Sequence, residues 1–485
     1  MTIRLRWEIN MITLAEIIGG LGASRVVGGE FPLPDTVIDS RNVTPGALFI
    51  ALEGENTDGH LYLAQAFKNG AAAAIISKEL PQFIDQTIDL RTTAIDAIDL
   101  SNYRQPYCLL VKDALDSLQK LAAYWRNKLD IHVVGITGSV GKSSTKELIT
   151  EVLSYQFSTF KNPGNYNNEI GLPLTILNVG RGYQKLILEM GFYYPGEIAF
   201  LCEISKPSIG VITNIGTVHA ERAGSKEAIA KGKSELVKAL PGDPIGTAIL
   251  NYDDPYVRAM AKDTRANIVY YGINPEADLW ADEISGLGLK GIKFRLHWHN
   301  ESIILQAPIL GRHSVQTILR AAAVAITEGL TLSDIKKALA VSNTQLRLVA
   351  VRTDNGALIL DDTYNATPES TIAALDLLDE LDGQKIAVLG DMLELGKYEE
   401  LGHIQVGEKA ARVVNHLIAV GEKGKIIAET ARREGLPPSS VTCVKDALEA
   451  AELLKYNLTN RDVVLVKGSH GLRMDRISTI LEAAK

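Results

Sequence analysis

The chain has 485 residues, 46% hydrophobic and 22% charged, with 50 Lys and Arg against 58 Asp and Glu for a net charge of −8. That length allows about three domains of ~100–200 residues each, and the composition excludes a largely disordered chain. The acidic balance excludes a nucleic-acid binder with a broad basic face, and no apolar run approaches the ~18–20 residues of a membrane helix.

In chain order, MTIRLRWEINMITL has no sustained apolar run and no small-residue cleavage site, so no signal peptide is expected and Met11 is an alternative start. A first segment to residue 107 holds a strand-and-turn region (37–54), a helix-like LYLAQAFKNGA and the strand AAAAIIS. The polar stretch 81–105 has little periodicity and reads as an insertion or surface loop. A second segment, 108–344, opens with the amphipathic DALDSLQKLAAYWRNKL. It continues with the apolar strands IHVVGIT, KLILEMG, SIGVITNIG and TAILNYDD, then a β-rich antiparallel region from 264 to 310. Continuous apolar strands mark a sheet covered on both faces. The third segment, 345–485, alternates strand and helix four times, which predicts a doubly wound parallel sheet. Cys108, Cys202 and Cys443 form no CxxC pair, which fits a reducing cytosol.

The strongest local feature is IHVVGITGSVGKSSTKELITEVL (131–153). A strand runs into Gly135, Gly138 and Gly141, and Lys142, Ser143 and Ser144 open a helix. Glycine-rich backbone, a helix N-terminus and a lysine together suit a phosphate anion, and a serine hydroxyl suits Mg²⁺. Ile136 stands where the strict GxxxxGK[ST] pattern has its first glycine, so a plain glycine turn is the competing reading. Glu189 and His219 fall at or just past strand ends, where ligands collect in open α/β sheets. Both become candidate metal ligands, against a capping or surface role. Lys233 falls on the apolar face of SKEAIAKGKSELVKAL with Ile229, Leu236, Val237 and Leu240, so it must snorkel, pair or lose its charge. Asn162, Asn165, Asn167 and Asn168 crowd one segment, either as turn formers or as a substrate-positioning loop.

The set TGSVGKSS, GNYNNEIGLPLT, LEMG, NIGTVHAERAGS and the lysine-bearing helix resembles the Mur ligases, which build the peptide of bacterial cell-wall precursors. DSRNVTPGALFIALEGENTDGH (39–60), DDTYNATPES (361–370), AVLGDMLELG (387–396) with His403, and VLVKGSHGLRMD (464–475) extend the resemblance over nearly the whole chain. These motifs point to the member that joins D-alanyl-D-alanine to UDP-N-acetylmuramoyl-tripeptide.

The resemblance implies three α/β domains. A small mixed domain (1–107) would grip the UDP substrate. A central P-loop ATPase domain (108–344) would be followed by a Rossmann-like domain (345–485) that closes on ATP and takes the dipeptide. It also implies ATP and Mg²⁺ as cofactors, a cytoplasmic monomer, and an acyl-phosphate intermediate. Lys142 would bind the β/γ-phosphates, with Gly138, Ser139, Gly141, Ser143 and Ser144 around them. Ser143, Glu189, His219 and a carbamylated Lys233 would serve the metal, and Lys142, His219 and Lys233 the catalysis. Asn251, Arg347 and Asp362 would contact the nucleotide. Ser40, Arg41, Asn165, Asn167, Asn168 and Asn365 would contact or position the other substrates. One departure is plain: GRHSVQTILRAA (311–322) has Ser314 and Thr317 where the family motif GRHNxxNALAA has asparagines. Three rivals remain: a folate-type glutamate ligase, a P-loop nucleotide switch and a dinucleotide oxidoreductase. The first should lack the front segment, the second would not need the third-segment motifs, and the third lacks a GxGxxG opening a helix.

Overall fold

The computed structural model describes residues 11–92, 97–217, 224–341 and 349–483. The chain packs as two compact units. The first comprises 1–135, 156–191 and 197–208; the second comprises 136–155, 192–196 and 209–485. The chain passes from one to the other inside the strand His132–Thr137.

In the first unit a parallel five-stranded sheet runs in the order Thr36–Val37, Leu48–Ile50, Ala73–Ile76, Tyr107–Leu110, Thr87–Asp89. Phe49, Ala74, Ile76, Cys108 and Leu110 fill one of its faces with Leu63 and Ala66 of the adjoining helix. The stretch 81–105 is not simply a loop. Pro81–Gln86 form a short 3₁₀ segment and Thr87–Asp89 add the edge strand, in register with Cys108–Leu110. Only Ile88 of that strand is buried, between Thr87 and Asp89, and one apolar residue between two polar ones is too short a pattern to reveal a strand.

The helix Ala114–Arg126 buries Leu118, Leu121, Ala122 and Trp125 on one face, and Asp113 caps its start by accepting from Asp116 N. The Trp125 indole donates to Val179 O at 2.9 Å, so the largest buried ring leaves no unpaired polar atom. Asn178 clamps the backbone of Thr36 through both ends of its amide, at 2.8 and 3.0 Å.

In the second unit, Ile209–Ile212, Thr247–Asn251, Asn267–Gly272 and Leu279–Gly286 pair in parallel succession. Ile292–Trp298 and Glu301–Ala307 continue antiparallel, so the antiparallel region expected from 264 begins only at Ile292. A six-stranded sheet follows in the order Val349–Arg352, Leu358–Asp362, Asp462–Lys467, Gln384–Gly390, His416–Val420, Val441–Val444. All its pairs are parallel except the first. Helices Pro368–Asp379, Glu399–Val413 and Gly424–Arg433 bury Leu375, Leu378, Val406 and Ile427 on one face. Ala447–Lys455 and Asp475–Ala483 bury Leu454, Ile477 and Leu481 on the other, giving the doubly wound arrangement expected. No helix among the described residues is long and apolar enough to cross a membrane.

Candidate active site

The glycine-rich loop joins Thr137 to the helix Lys142–Ser154 in the second unit. Gly138 adopts φ +147°, and a Cβ there would collide with Thr213. Gly141 caps the helix at φ +83°. Both positions therefore require glycine. The loop is stitched to the segment after Ile212. Ser139 N donates to Asn214 O at 2.9 Å, Val140 N to Asn214 Oδ1 at 2.9 Å, and the Thr213 hydroxyl to Val140 O at 2.7 Å. Gly216 N donates to Ser139 Oγ at 2.8 Å. This fixes the loop so that the first turn of the helix, with Ser143 and Ser144, presents backbone N–H groups and a partial positive charge.

Two ammonium groups meet beside it. Lys142 Nζ donates to Gly138 O at 2.8 Å, and Lys233 Nζ donates to the same carbonyl at 2.9 Å. Lys233 is fully buried and lies over the Phe192 ring, 4.9 Å from its centre. It does not snorkel. Its helix ends at Lys233 and a separate turn, Glu235–Lys238, follows, so the single helix expected over 225–240 breaks at Ser234.

Asn251 ends its strand buried, donating to Thr213 O at 3.1 Å and accepting from Asp253 N at 3.0 Å. Two further groups here escaped the sequence reading. The Tyr271 hydroxyl bonds to Ile212 O and Thr213 O at 3.0 and 2.9 Å, and complete burial pushes its pKa up to about 12. Arg320, 5% exposed, donates to the hydroxyls of Thr145 at 2.7 Å and Thr317 at 2.8 Å. Its signal was present as the lone charge within the apolar run 318–325.

In the six-stranded sheet, strand order alone gathers the three motifs of the third segment. They follow the carboxyl ends of neighbouring strands, where open α/β sheets bind ligands. Lys467, 2% exposed, bonds Asp362 at 2.6 Å and Asn365 O at 2.9 Å. Lys467 was visible in VLVKGS, but sequence reasoning gave it no role. Ser469 Oγ accepts from Leu393 N at 2.9 Å. The buried His403 accepts from Met392 N through Nε2 at 3.1 Å, with Nδ1 2.7 Å from Glu399 O.

In the first unit Glu189, 3% exposed, accepts from Asn167 Nδ2 at 2.9 Å. Asn162 bonds both backbone groups of Glu189, and Asn168 Oδ1 accepts from Gly171 N at 2.9 Å. Asn165 is exposed. The asparagine cluster therefore aims one carboxylate and starts one helix. Ser40 is buried at the start of a 3₁₀ turn, whereas Arg41 is exposed and forks onto Asp39. The guanidinium holds the Asp39 carboxyl below its usual range. Glu53, Asp58 and His60 also cluster, but Lys78 pairs with both carboxylates, and His60 Nε2 accepts from Ser77 N. His219 and Arg347 lie outside the described residues.

The chain matches the sequence pattern of the "Mur ligase family, catalytic domain" over 36–106, the "Mur ligase middle domain" over 136–325 and the "Mur ligase, glutamate ligase domain" over 346–470. The chain belongs to the Mur ligase family. The UDP-N-acetylmuramoyl-tripeptide–D-alanyl-D-alanine ligase of Mycobacterium tuberculosis strain H37Rv is 34% identical, with 98% of each chain covered. A crystal structure of MurF from Acinetobacter baumannii superposes with a TM-score of 0.79 at 28% identity, covering 98% of this chain and 99% of that one. MurF ligase from Thermotoga maritima, solved in complex with ADP, gives 0.76 at 28% identity over 93% and 97%.

Proposed function

We propose that this Mur ligase is the ATP-dependent, ADP-forming enzyme that joins D-alanyl-D-alanine to UDP-N-acetylmuramoyl-tripeptide in the cytoplasm. Full-length similarity to ligases of that name carries the reading. ATP phosphorylates the terminal carboxylate of the tripeptide, the dipeptide amine attacks the acyl phosphate, and phosphate leaves as the amide forms. Three functional segments divide the work: 1–107 for the UDP substrate, 108–344 for ATP, and 345–485 for closure and the dipeptide.

Lys142 and the N–H groups of the helix's first turn, Lys142 to Ser144, hold the β/γ-phosphates beside Gly138, Ser139 and Gly141, which suits a loop already locked by Thr213 and Asn214. Asn251, Arg347 and Asp362 serve the nucleotide. Ser40, Arg41, Asn165, Asn167, Asn168 and Asn365 serve or position the other substrates. The donor chemistry fits Mg²⁺. By the resemblance the metal would take Ser143, Glu189 and His219, of which Ser143 offers a hydroxyl and Glu189 a buried carboxylate aimed by Asn167, both hard oxygen donors. When bound, Mg²⁺ neutralises phosphate charge. Lys233, an ammonium bonded to Gly138 O, can join that set only as a carbamate. The test is ADP release from ATP and UDP-N-acetylmuramoyl-tripeptide with and without D-alanyl-D-alanine. Release that does not depend on the dipeptide overturns the assignment.

A further inference from the structure

Arg320 belongs to the helix Ser314–Thr327, of which all but Gln316, Ile326 and Thr327 are buried. Arg320 is 5% exposed, and among the described residues its guanidinium bonds neutral hydroxyls, those of Thr145, Thr317 and Tyr271. Among the described residues no carboxylate pairs with it, although its charge is felt at Tyr271, whose ring centre lies 5.8 Å away. A buried cation with no counter-charge is costly, and proteins rarely keep one without an anion to meet it. Arg320 Nη2 lies 3.1 Å from where a Gly141 Cβ would stand, against the residue that caps the phosphate-loop helix. Its Nε bond runs to Thr145, whose hydroxyl in turn bonds Gly141 O at 2.6 Å. The guanidinium thus lies against the first turn of that helix. The family motif quoted above has alanine at this position.

We infer that Arg320 is a buried positioning residue for the nucleotide: its charge adds to the positive end of the phosphate-loop helix and is balanced by the polyphosphate. The inference rests on the nucleotide site proposed above. It requires no direct contact with phosphate, because a charge a few ångströms behind the loop is poorly screened in a dry interior.

Calorimetric titration of ADP into the full chain, with Arg320→Met and Arg320→Lys beside the wild type, tests it. The methionine variant should bind ADP about ten- to a hundredfold more weakly, while its ligand-free Tm stays level or rises. The lysine variant should recover most of the affinity, and the methionine variant should show a shallower dependence of Kd on salt. ADP affinity within twofold of wild type for Arg320→Met overturns the inference. So does a methionine variant with lowered Tm whose affinity loss lysine fails to restore, which would make Arg320 a structural strut. If Arg320→Met does not fold, the lysine variant decides alone: weakening as large as tenfold overturns the charge argument. Failure of the wild type to bind ADP instead refutes the nucleotide site itself.

Discussion

The carbonyl of Gly138 accepts from Lys142 and Lys233 together, so two positive charges converge on a loop that is itself the positive end of a helix. Under the proposed function, this is where the ATP polyphosphate would be held. Lys142 is the partly exposed member of the pair and Lys233 the buried one. Lys142→Ala should therefore leave the Tm near that of wild type and cut ligation by about a hundredfold or more, read as ADP release under saturating substrates. Full ligation by that variant contradicts the role given to the loop. Glu380 offers a stability test away from this chemistry. Burial raises its pKa, the Arg312 guanidinium at 3.1 Å opposes the shift, and one of its carboxylate oxygens is buried with no hydrogen-bond partner among the described residues. A carboxyl whose folded pKa is raised ionises first in the unfolded chain, so stability is lost as pH climbs from the unfolded value through the folded one. Glu380→Gln removes that loss. The Tm of the variant minus that of wild type should be larger at pH 7 than at pH 4, and an equal or smaller difference at pH 7 refutes the sign.

At the scale of elements, the phosphate loop is a joint between a strand end, a helix start and the Thr213–Gly216 segment. Gly138 is the pinch point, where left-handed backbone and the Thr213 side chain leave no room for a Cβ. Gly138→Ala should lower the Tm by several degrees, consistent with ~1–3 kcal/mol for a strained residue, and abolish ADP binding by calorimetry. Wild-type Tm and affinity in that variant would show that the loop is not held as described. Much of this joint was legible in TGSVGKSS, because glycine, lysine and serine at a strand-to-helix junction leave few alternatives. The asparagine segment was legible only as a cluster. Which amide aims Glu189 and which starts a helix depends on pairing across many residues, as Asn162 and Asn167 bond a carboxylate-bearing residue 27 and 22 positions away. Lys233 facing inward followed from helical spacing, but its acceptor, 95 positions away, did not.

For the whole molecule, strand–helix alternation in the third segment carried the doubly wound sheet, since Leu358–Asp362, Gln384–Gly390, His416–Val420 and Asp462–Lys467 each hold an apolar run. The front segment was harder. Its strands are two to four residues long, and the edge strand Thr87–Asp89 joins the sheet through register with Cys108–Leu110. Arg320 and Lys467 also escaped, because a buried cation reads in sequence like any surface charge until its neighbours are known. The net charge of −8 fits two anionic substrates only if positive charge is local, as it is at Lys142, Lys233 and Arg320 around one loop. The central claim is that this loop drives amide formation between two substrates. Mass analysis of the product from ATP, UDP-N-acetylmuramoyl-tripeptide and D-alanyl-D-alanine tests it most directly. The account predicts UDP-N-acetylmuramoyl-pentapeptide in step with ADP, one for one. ADP without pentapeptide, or neither product from a folded enzyme, would contradict it.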